Sequence, residues 1–203
     1  MKSMIKTLFT DVGGVLLTNG WGNASRKLAV EKFGLDPKET ESRHHLTFDT
    51  YEVGKTTLDE YLQRVVFYQP RTFTIGEFRD FMFQQSQPYP EMLDMMRRIK
   101  AGGCPIVVVS NEGRELTEYR IKTFKMDEFA DFFVSSCFVH FRKPDRDIFR
   151  MAIDLAQADP AQSVYLDDRP MFVEVAASMG LQAIRHTDYE TTKTALAAHG
   201  IAV

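Results

Sequence analysis

Four groups of polar residues in this sequence carry side chains that could act together in one reaction. Three groups follow short apolar runs, and the fourth lies in a predicted loop. The groups are Asp11 with Gly13 and Gly14, Ser110 with Asn111, Lys143 after Arg142, and Asp167 with Asp168. A carboxylate can act as a nucleophile when it is held in line with a leaving group. Clustered carboxylates are the ligands that Mg²⁺ prefers, and an ammonium group neutralises an anionic substrate.

The apolar runs that precede these groups predict the strands that would position them. They cover residues 5–9, 105–109 and 164–166, and further strands are predicted at 132–136 and 181–184. The run 105–109 is mostly β-branched, which is typical of a strand buried on both faces. Helices are predicted between the strands at 90–101, 112–124, 146–157, 171–179 and 189–198. This alternation predicts an α/β fold with a mainly parallel five-stranded sheet, whose strand ends share one edge.

The segment between the first two strands shows helical patterns and no strand. Helices are predicted at 25–33 and 37–48, and Thr57 and Thr74 each begin a further helix with a glutamate three residues later, as in a capping box. We therefore predict an all-helical cap domain, residues 18–88, inserted into a core domain formed by residues 1–17 and 89–203.

Composition excludes several classes of function. The formal net charge of -3 predicts no broad basic surface for nucleic acid, and no apolar run reaches the length of a membrane span. The first residues show no signal-peptide pattern, and Cys104 and Cys137 lie in apolar runs, as is typical of buried free thiols. We expect a cytoplasmic protein, a monomer or homodimer, whose partner is a small molecule.

Four stretches together resemble the haloacid dehalogenase superfamily of aspartate-nucleophile hydrolases. They are residues 9–16 (FTDVGGVL), 108–111 (VVSN), 142–149 (RKPDRDIF) and 165–170 (YLDDRP), the last continuing through Glu174 to Ala177. They occur in the order and at the spacing of that family. The predicted helical segment is similar in place and size to the cap of the subgroup whose cap follows the first strand. The resemblance implies a three-layer Rossmann-like core.

The resemblance also implies a reaction and the residues that perform it. Asp11 would be the nucleophile of a Mg²⁺-dependent phosphatase and form an aspartyl-phosphate with a small phosphorylated metabolite. The metal ligands would be Asp11, the carbonyl of Gly13, and Asp168, with Asp167 binding directly or through water. Ser110, Asn111, Lys143 and Gly14 would contact the substrate, and the first three would also assist catalysis.

Gly13 departs from the usual pattern of the family. Phosphatases of this family usually carry a second aspartate two places after the nucleophile, which protonates the leaving oxygen and later activates water. The sequence is also similar to a branch that has glycine here and is still described as phosphatase. Three explanations for the missing aspartate stay open. The leaving group could need little protonation, a cap residue could replace the aspartate, or the protein could be slow or non-catalytic. If a proton donor exists elsewhere, the search for it starts in the cap at His44 and His45.

Two other functions remain open at this point. The first is a metal-independent 2-haloacid dehalogenase, which would use Asp11 on carbon and would gain nothing from Asp167 and Asp168. The second is a catalytically degenerate member that only binds a phosphorylated ligand or a protein. Each motif also has a purely structural explanation. Ser110 and Asn111 could cap a helix that begins at Glu112, Lys143 could be a solvated loop lysine, and Asp167 with Asp168 could form a turn.

Overall fold

Five short apolar runs form one parallel sheet in the computed structural model, which describes residues 5–203. The strands are β1 (Thr7–Thr10), β2 (Ile106–Ser110), β3 (Phe132–Ser135), β4 (Ser163–Asp167) and β5 (Gln182–Arg185). Their order in the sheet is β3-β2-β1-β4-β5, and every neighbouring pair is parallel. The predicted α/β fold and five-stranded parallel sheet are confirmed. The first four positions of the predicted core segment 1–17 lie outside the described residues.

Alternating side chains of the central strands face two different hydrophobic clusters. Leu8 and Val108 pack in one cluster, whereas Phe9 and Val107 pack in the other. The sheet is therefore buried on both faces, as a parallel sheet requires, and the core has three layers. The α-helices from residue 90 onward are α5 (Pro90–Ala101), α6 (Arg114–Thr123), α7 (Ser136–Val139), α8 (Arg146–Ala156), α9 (Pro170–Ser178) and α10 (Tyr189–Ala198).

Four helices form a separate block between β1 and α5, which we call the helical insert. They are α1 (Asn23–Phe33), α2 (Pro37–Glu52), α3 (Leu58–Val65) and α4 (Ile75–Gln84). Thr57 and Thr74 cap α3 and α4 with the predicted capping boxes. The insert has its own hydrophobic cluster, to which the core contributes the buried side chain of Leu116.

Three predicted boundaries near the sheet edge are wrong. Helix α6 begins at Arg114 with Gly113 as its N-cap, so Ser110 and Asn111 do not cap it. The third strand ends at Ser135, because the next four residues form the short helix α7. Helix α2 continues one turn past Phe48 and ends at Glu52, which adds two acidic residues to its end.

Two linkers that lie side by side join the insert to the core. Leu17 and Pro88 form an isolated antiparallel bridge, and the Thr18 amide donates to the Gln87 carbonyl at 2.8 Å. The buried guanidinium of Arg120, on α6, donates to the Thr18 carbonyl at 3.1 Å and to Ser86 Oγ at 3.0 Å. One core side chain therefore fixes both linkers. Within residues 5–203, no helix has the length and apolar character needed to cross a membrane.

Candidate active site

A cavity of about 80 Å³ lies where the carboxyl edge of the sheet meets the helical insert. Five site residues predicted from the sequence contribute to its wall, namely Asp11, Gly13, Ser110, Asn111 and Lys143. The insert contributes Phe48 and Glu52. The structure therefore brings together polar groups that are more than a hundred positions apart in the sequence, because the ends of parallel strands share one edge.

Lys143 is fully buried between two carboxylates. Its Nζ lies 3.0 Å from Asp11 Oδ1 and 2.7 Å from Asp167 Oδ2. Burial alone would lower the pKa of Lys143, but the charges of Asp11 and Asp167 raise it above its ordinary value. The lysine therefore stays charged, and the possibility that it is a solvated loop lysine is excluded by its burial.

Asp11 lies in a strongly desolvated place. Burial raises the pKa of its carboxyl group to about 6, the Lys143 charge opposes this rise, and the Asp167 charge adds to it. Only 6% of Asp11 is exposed, and that part faces the cavity. A poorly hydrated carboxylate beside a fixed cation is suited to attack a bound electrophile, since little water has to be displaced from it.

Asp167 uses both of its oxygens within the protein. Oδ2 accepts hydrogen bonds from Lys143 Nζ and from the Tyr165 hydroxyl, and Oδ1 accepts one from the Arg169 amide at 2.9 Å. Tyr165 and Asp167 are two residues apart on β4, so their side chains lie on the same side of the strand. This arrangement makes Asp167 the residue that holds Lys143 in place. It leaves Asp167 less free than Asp168 to bind a cation.

Asp168 has the opposite environment. Its Oδ1 is buried without a hydrogen-bond partner among residues 5–203, and burial together with the Asp167 charge raises its pKa. One oxygen from each of Asp11, Asp167 and Asp168 lies within 4.8 Å of the others. A cation would relieve the mutual repulsion and supply the missing partner of Asp168, so these residues fit a hard divalent ion such as Mg²⁺.

The two glycines after Asp11 have different surroundings. Gly14 has a φ of +77°, and a Cβ there would lie 2.3 Å from Asp168 Oδ2, so any side chain would collide with the candidate metal site. Gly13 has no positive φ and forms part of the cavity wall. The predicted ligation by the Gly13 carbonyl and the predicted substrate contact of Gly14 stay predictions.

Asn111 holds the loop that carries Lys143. Its Nδ2 donates to the Lys143 carbonyl at 2.8 Å, and its Oδ1 accepts from the Lys143 amide at 2.7 Å. Both ends of its side-chain amide are therefore used to position Lys143. Ser110 ends β2 and lines the cavity with 4% of its surface exposed. Direct contact of either residue with a substrate stays a prediction.

His44 and His45 do not lie on the cavity wall. His44 is buried inside the insert, where its Nδ1 lies 2.9 Å from the Tyr61 hydroxyl, and His45 is exposed beside Glu41. Among the wall residues, the acidic groups that the sequence did not indicate are Glu52 and Glu112. No local pattern marks either of them, although Glu52 follows Phe48 by four residues and therefore shares its helix face.

A comparison with protein-family models identifies the chain's family. The family model described as "haloacid dehalogenase-like hydrolase" matches residues 5–180, so the chain belongs to this family of hydrolases. Bifunctional epoxide hydrolase 2 of Sus scrofa is 23% identical over 203 residues, which cover 89% of this chain and 36% of that protein. The chain spans less than half of the length of the curated relatives it matches.

Solved structures share the fold. A HAD family enzyme of Bacteroides thetaiotaomicron, in complex with magnesium and inorganic phosphate, has a TM-score of 0.76 and 19% identity, and the match covers 90% of this chain and 94% of that one. The L-2-haloacid dehalogenase of Xanthobacter autotrophicus, with chloropropionic acid covalently bound, has a TM-score of 0.64 and 14% identity, and the match covers 98% and 85%. At these identities the likeness shows the fold alone, which is the predicted Rossmann-like core.

Proposed function

We propose that this protein is a Mg²⁺-dependent phosphatase that acts on small phosphorylated metabolites through an aspartyl-phosphate on Asp11. One observation carries the proposal: in the part of the chain that the structure describes, Asp168 Oδ1 is buried without a hydrogen-bond partner, close to Asp11 and Asp167. A buried carboxylate oxygen that has no donor is costly unless a cation completes its surroundings. A reaction that needs no metal gives no reason to place Asp168 there.

The residues that would hold Mg²⁺ are Asp11, the carbonyl of Gly13, and Asp168. Asp167 would act directly or through water, and its hydrogen bonds to Lys143 and Arg169 favour the second arrangement. When bound, Mg²⁺ supplies positive charge that offsets the charge of the phosphoryl oxygens.

The side chains then have separate roles. Asp11 attacks phosphorus, and Lys143, 3.0 Å away, keeps its carboxylate ionised and oriented. Ser110 donates a hydrogen bond to a phosphoryl oxygen, and Asn111 acts through the Lys143 backbone. The insert covers the cavity, excludes water and selects the leaving group.

The test is phosphate release from p-nitrophenyl phosphate and from a broad panel of metabolite monophosphates, in Mg²⁺. Asp11→Asn removes the nucleophile and should abolish turnover. Asp154→Asn is the matched control, because Asp154 is exposed on α8 and should keep wild-type activity. Equal activity of Asp11→Asn and the wild type would show that Asp11 is not the nucleophile.

The dehalogenase alternative is separated by the same preparation. The structure of the Xanthobacter dehalogenase shares the fold, so 2-chloropropionate is included as a substrate. Chloride release in EDTA, without phosphate release from any ester, would replace the phosphatase proposal. Stabilisation by inorganic phosphate without turnover of any substrate would instead favour a protein that only binds phosphorylated ligands.

A further inference from the structure

The site described so far has no group that can give a proton to the leaving oxygen. Gly13 stands where relatives carry an acid, and Lys143 is committed to two carboxylates. The remaining ionisable groups on the cavity wall are Glu52, Glu112, Arg120 and Arg169. Arginine does not exchange its proton near neutral pH, which leaves the two glutamates.

Glu112 is already used by the protein. Its Oε2 lies 2.9 Å from a guanidinium nitrogen of Arg120, and its Oε1 accepts a hydrogen bond from the Gly113 amide at 3.2 Å. Because Arg120 also fixes both linkers, this pair belongs to the connection between the insert and the core.

Glu52 is the glutamate that remains available. It is the last residue of α2, it is 6% exposed, and it forms part of the cavity wall. Its Oε2 lies 2.7 Å from a guanidinium nitrogen of Arg142, but the contact lacks hydrogen-bond geometry. This oxygen therefore has no hydrogen-bond partner among residues 5–203, although it is buried.

Glu52 and Asp11 line the same cavity. Asp11 attacks from the sheet edge, and in-line displacement places the leaving oxygen on the side of phosphorus away from the nucleophile. Glu52 is the acidic residue that the insert contributes to the wall of this cavity. The Glu52 backbone is fixed to the core, since its carbonyl accepts from Ser136 Oγ at 2.6 Å.

We propose that Glu52 is the acid–base residue of this site, in the role for which Gly13 has no side chain. The inference rests on the proposed phosphatase function. In the first step the Asp11 oxygen bonds to phosphorus, the bond from phosphorus to the leaving oxygen breaks, and that oxygen takes the Glu52 proton. In the second step water attacks phosphorus and gives a proton to the Glu52 carboxylate, and the bond to Asp11 breaks.

The charges around Glu52 are compatible with this role. Burial raises the pKa of Glu52 to about 7; the Arg142 and Arg169 charges oppose the rise, and the Glu112 and Asp49 charges add to it. The ring of His140, which contacts the neighbouring Val53 carbonyl at 2.8 Å, also faces this end of α2. A group that is partly protonated near neutral pH can serve both as acid and as base.

The experiment compares Glu52→Gln with the wild type on glycerol phosphate, an alkyl ester, and on p-nitrophenyl phosphate, an aryl ester. Glutamine keeps the shape of glutamate but cannot transfer a proton. We expect kcat for the alkyl ester to fall by ~10²–10⁴-fold, the typical contribution of general acid–base catalysis. With the aryl ester the first step should persist and the second should slow. The variant should then release a burst of nitrophenolate and accumulate a phosphorylated protein detectable by mass spectrometry.

Asp49→Asn is the matched control. Asp49 lies one turn earlier on α2, contacts the same Arg142, and is mostly exposed. It should change the rates with both esters by the same small factor. The alkaline limb of the wild-type pH profile for the alkyl ester, where the protonated acid is lost, should disappear in Glu52→Gln.

The outcomes separate the two proposals. Absence of turnover of both esters by the wild type would reject the phosphatase function. Suppose instead that the wild type turns over both esters, that Glu52→Gln loses the same factor in kcat on each, and that no phosphorylated intermediate accumulates. This result would reject the acid–base role of Glu52 and leave the phosphatase function standing. A rise in KM at unchanged kcat would likewise reject this role, since it would show that Glu52 only binds substrate. The thermal midpoint of each variant is measured to check that it is folded. The pH profile of the wild type is a further test that does not depend on the folding of any variant.

Discussion

The backbone conformation of Gly13 is one that residues with a side chain can also adopt. Its φ lies outside the left-handed region, and a Cβ there would meet only Asn19 Oδ1 within 3 Å, at 2.9 Å. That oxygen ends a side chain that can rotate. A side chain at this position is therefore a practical way to supply a proton donor beside Asp11.

In the Glu52→Gln background, we expect Gly13→Asp to raise activity on alkyl phosphates more than on aryl phosphates. The rate of Glu52→Gln should depend steeply on the leaving-group pKa, and adding Gly13→Asp should flatten that dependence. Rates with a series of esters measure it. Gly14→Asp is the control that should lose activity altogether, because its positive φ and the proximity of Asp168 forbid a side chain. An unchanged slope, with normal Mg²⁺ affinity, would contradict the expectation.

Asp168 should account for most of the stabilisation by Mg²⁺. A ligand at a hundredfold excess over its Kd stabilises the folded state by about 2.7 kcal/mol. For a protein of this size each kcal/mol raises the Tm by roughly 2–4 °C. Calorimetry with and without Mg²⁺ should show this shift in the wild type and in Asp154→Ala, which changes an exposed acid. Asp168→Ala should lose most of it, and an equal shift in that variant would remove Asp168 from the ligand set.

Several of the predicted site residues share a local sequence pattern, since each lies at the end of an apolar run. Asp11, Ser110 and Asp167 each end an apolar run, so their convergence follows from parallel strand order alone. Glu52 and Glu112 carry no such mark. Their burial depends on how the insert packs against the core, and the raised pKa of each arises from that burial.

At the scale of single elements, α2 has a weak sequence pattern. Its buried side chains are largely polar, and they are Thr40, His44, Tyr51 and Glu52. A helix whose inner face is polar shows no apolar period, so the predicted helix ends at Phe48, before the observed end. The capping boxes of α3 and α4, in contrast, are local patterns that the structure reproduces.

His44 is held neutral between α2, which carries it, and α3, which carries Tyr61. Trp21 Nε1 donates to the Tyr61 hydroxyl at 2.9 Å, and His44 Nδ1 lies 2.9 Å from the same hydroxyl oxygen. Burial, with the Arg26 charge nearby, lowers the pKa of His44 from 6.5 to about 4. The unfolded chain binds this proton more readily, so the contribution of His44 to stability is complete above pH 6.5 and is lost as the pH falls toward 4.

We expect the free energy of unfolding of the wild type, relative to His44→Gln, to fall by about 2 kcal/mol between pH 7 and pH 5. Glutamine can accept the Tyr61 hydrogen bond but does not titrate. Denaturant unfolding at the two pH values measures the difference. His45→Gln, which changes the exposed neighbour, should follow the wild type at both values. A constant difference between the wild type and His44→Gln would show that His44 is not held neutral.

At the scale of the whole molecule, Arg120 connects the core to both linkers. It is 2% exposed and contacts Thr18, Ser86 and Glu112. Its loss removes the cation that is paired with the buried Glu112 carboxylate, and burial already raises the pKa of that carboxyl group. Removal of one partner of a buried pair commonly costs about 3–5 kcal/mol.

Arg120→Ala should therefore lower the free energy of unfolding by that amount, as measured by urea unfolding. Adding Glu112→Gln should recover part of the loss, because the stranded charge is gone. Lys122→Ala is the control on the same helix, since Lys122 is exposed, and it should stay within about 0.5 kcal/mol of the wild type. Similar losses in Arg120→Ala and Lys122→Ala would contradict the role of Arg120.

The paired linkers have a consequence for protein engineering. The chain leaves the core at Leu17 and returns beside it at Pro88, and all five strands lie outside the segment between these two residues. A short turn or a foreign domain with adjacent termini could replace the insert, because joining two neighbouring points has a small entropic cost. The insert is in this sense an exchangeable module. Exchanging it would change the part of the cavity wall that carries Phe48 and Glu52, and would keep the part that the sheet edge forms.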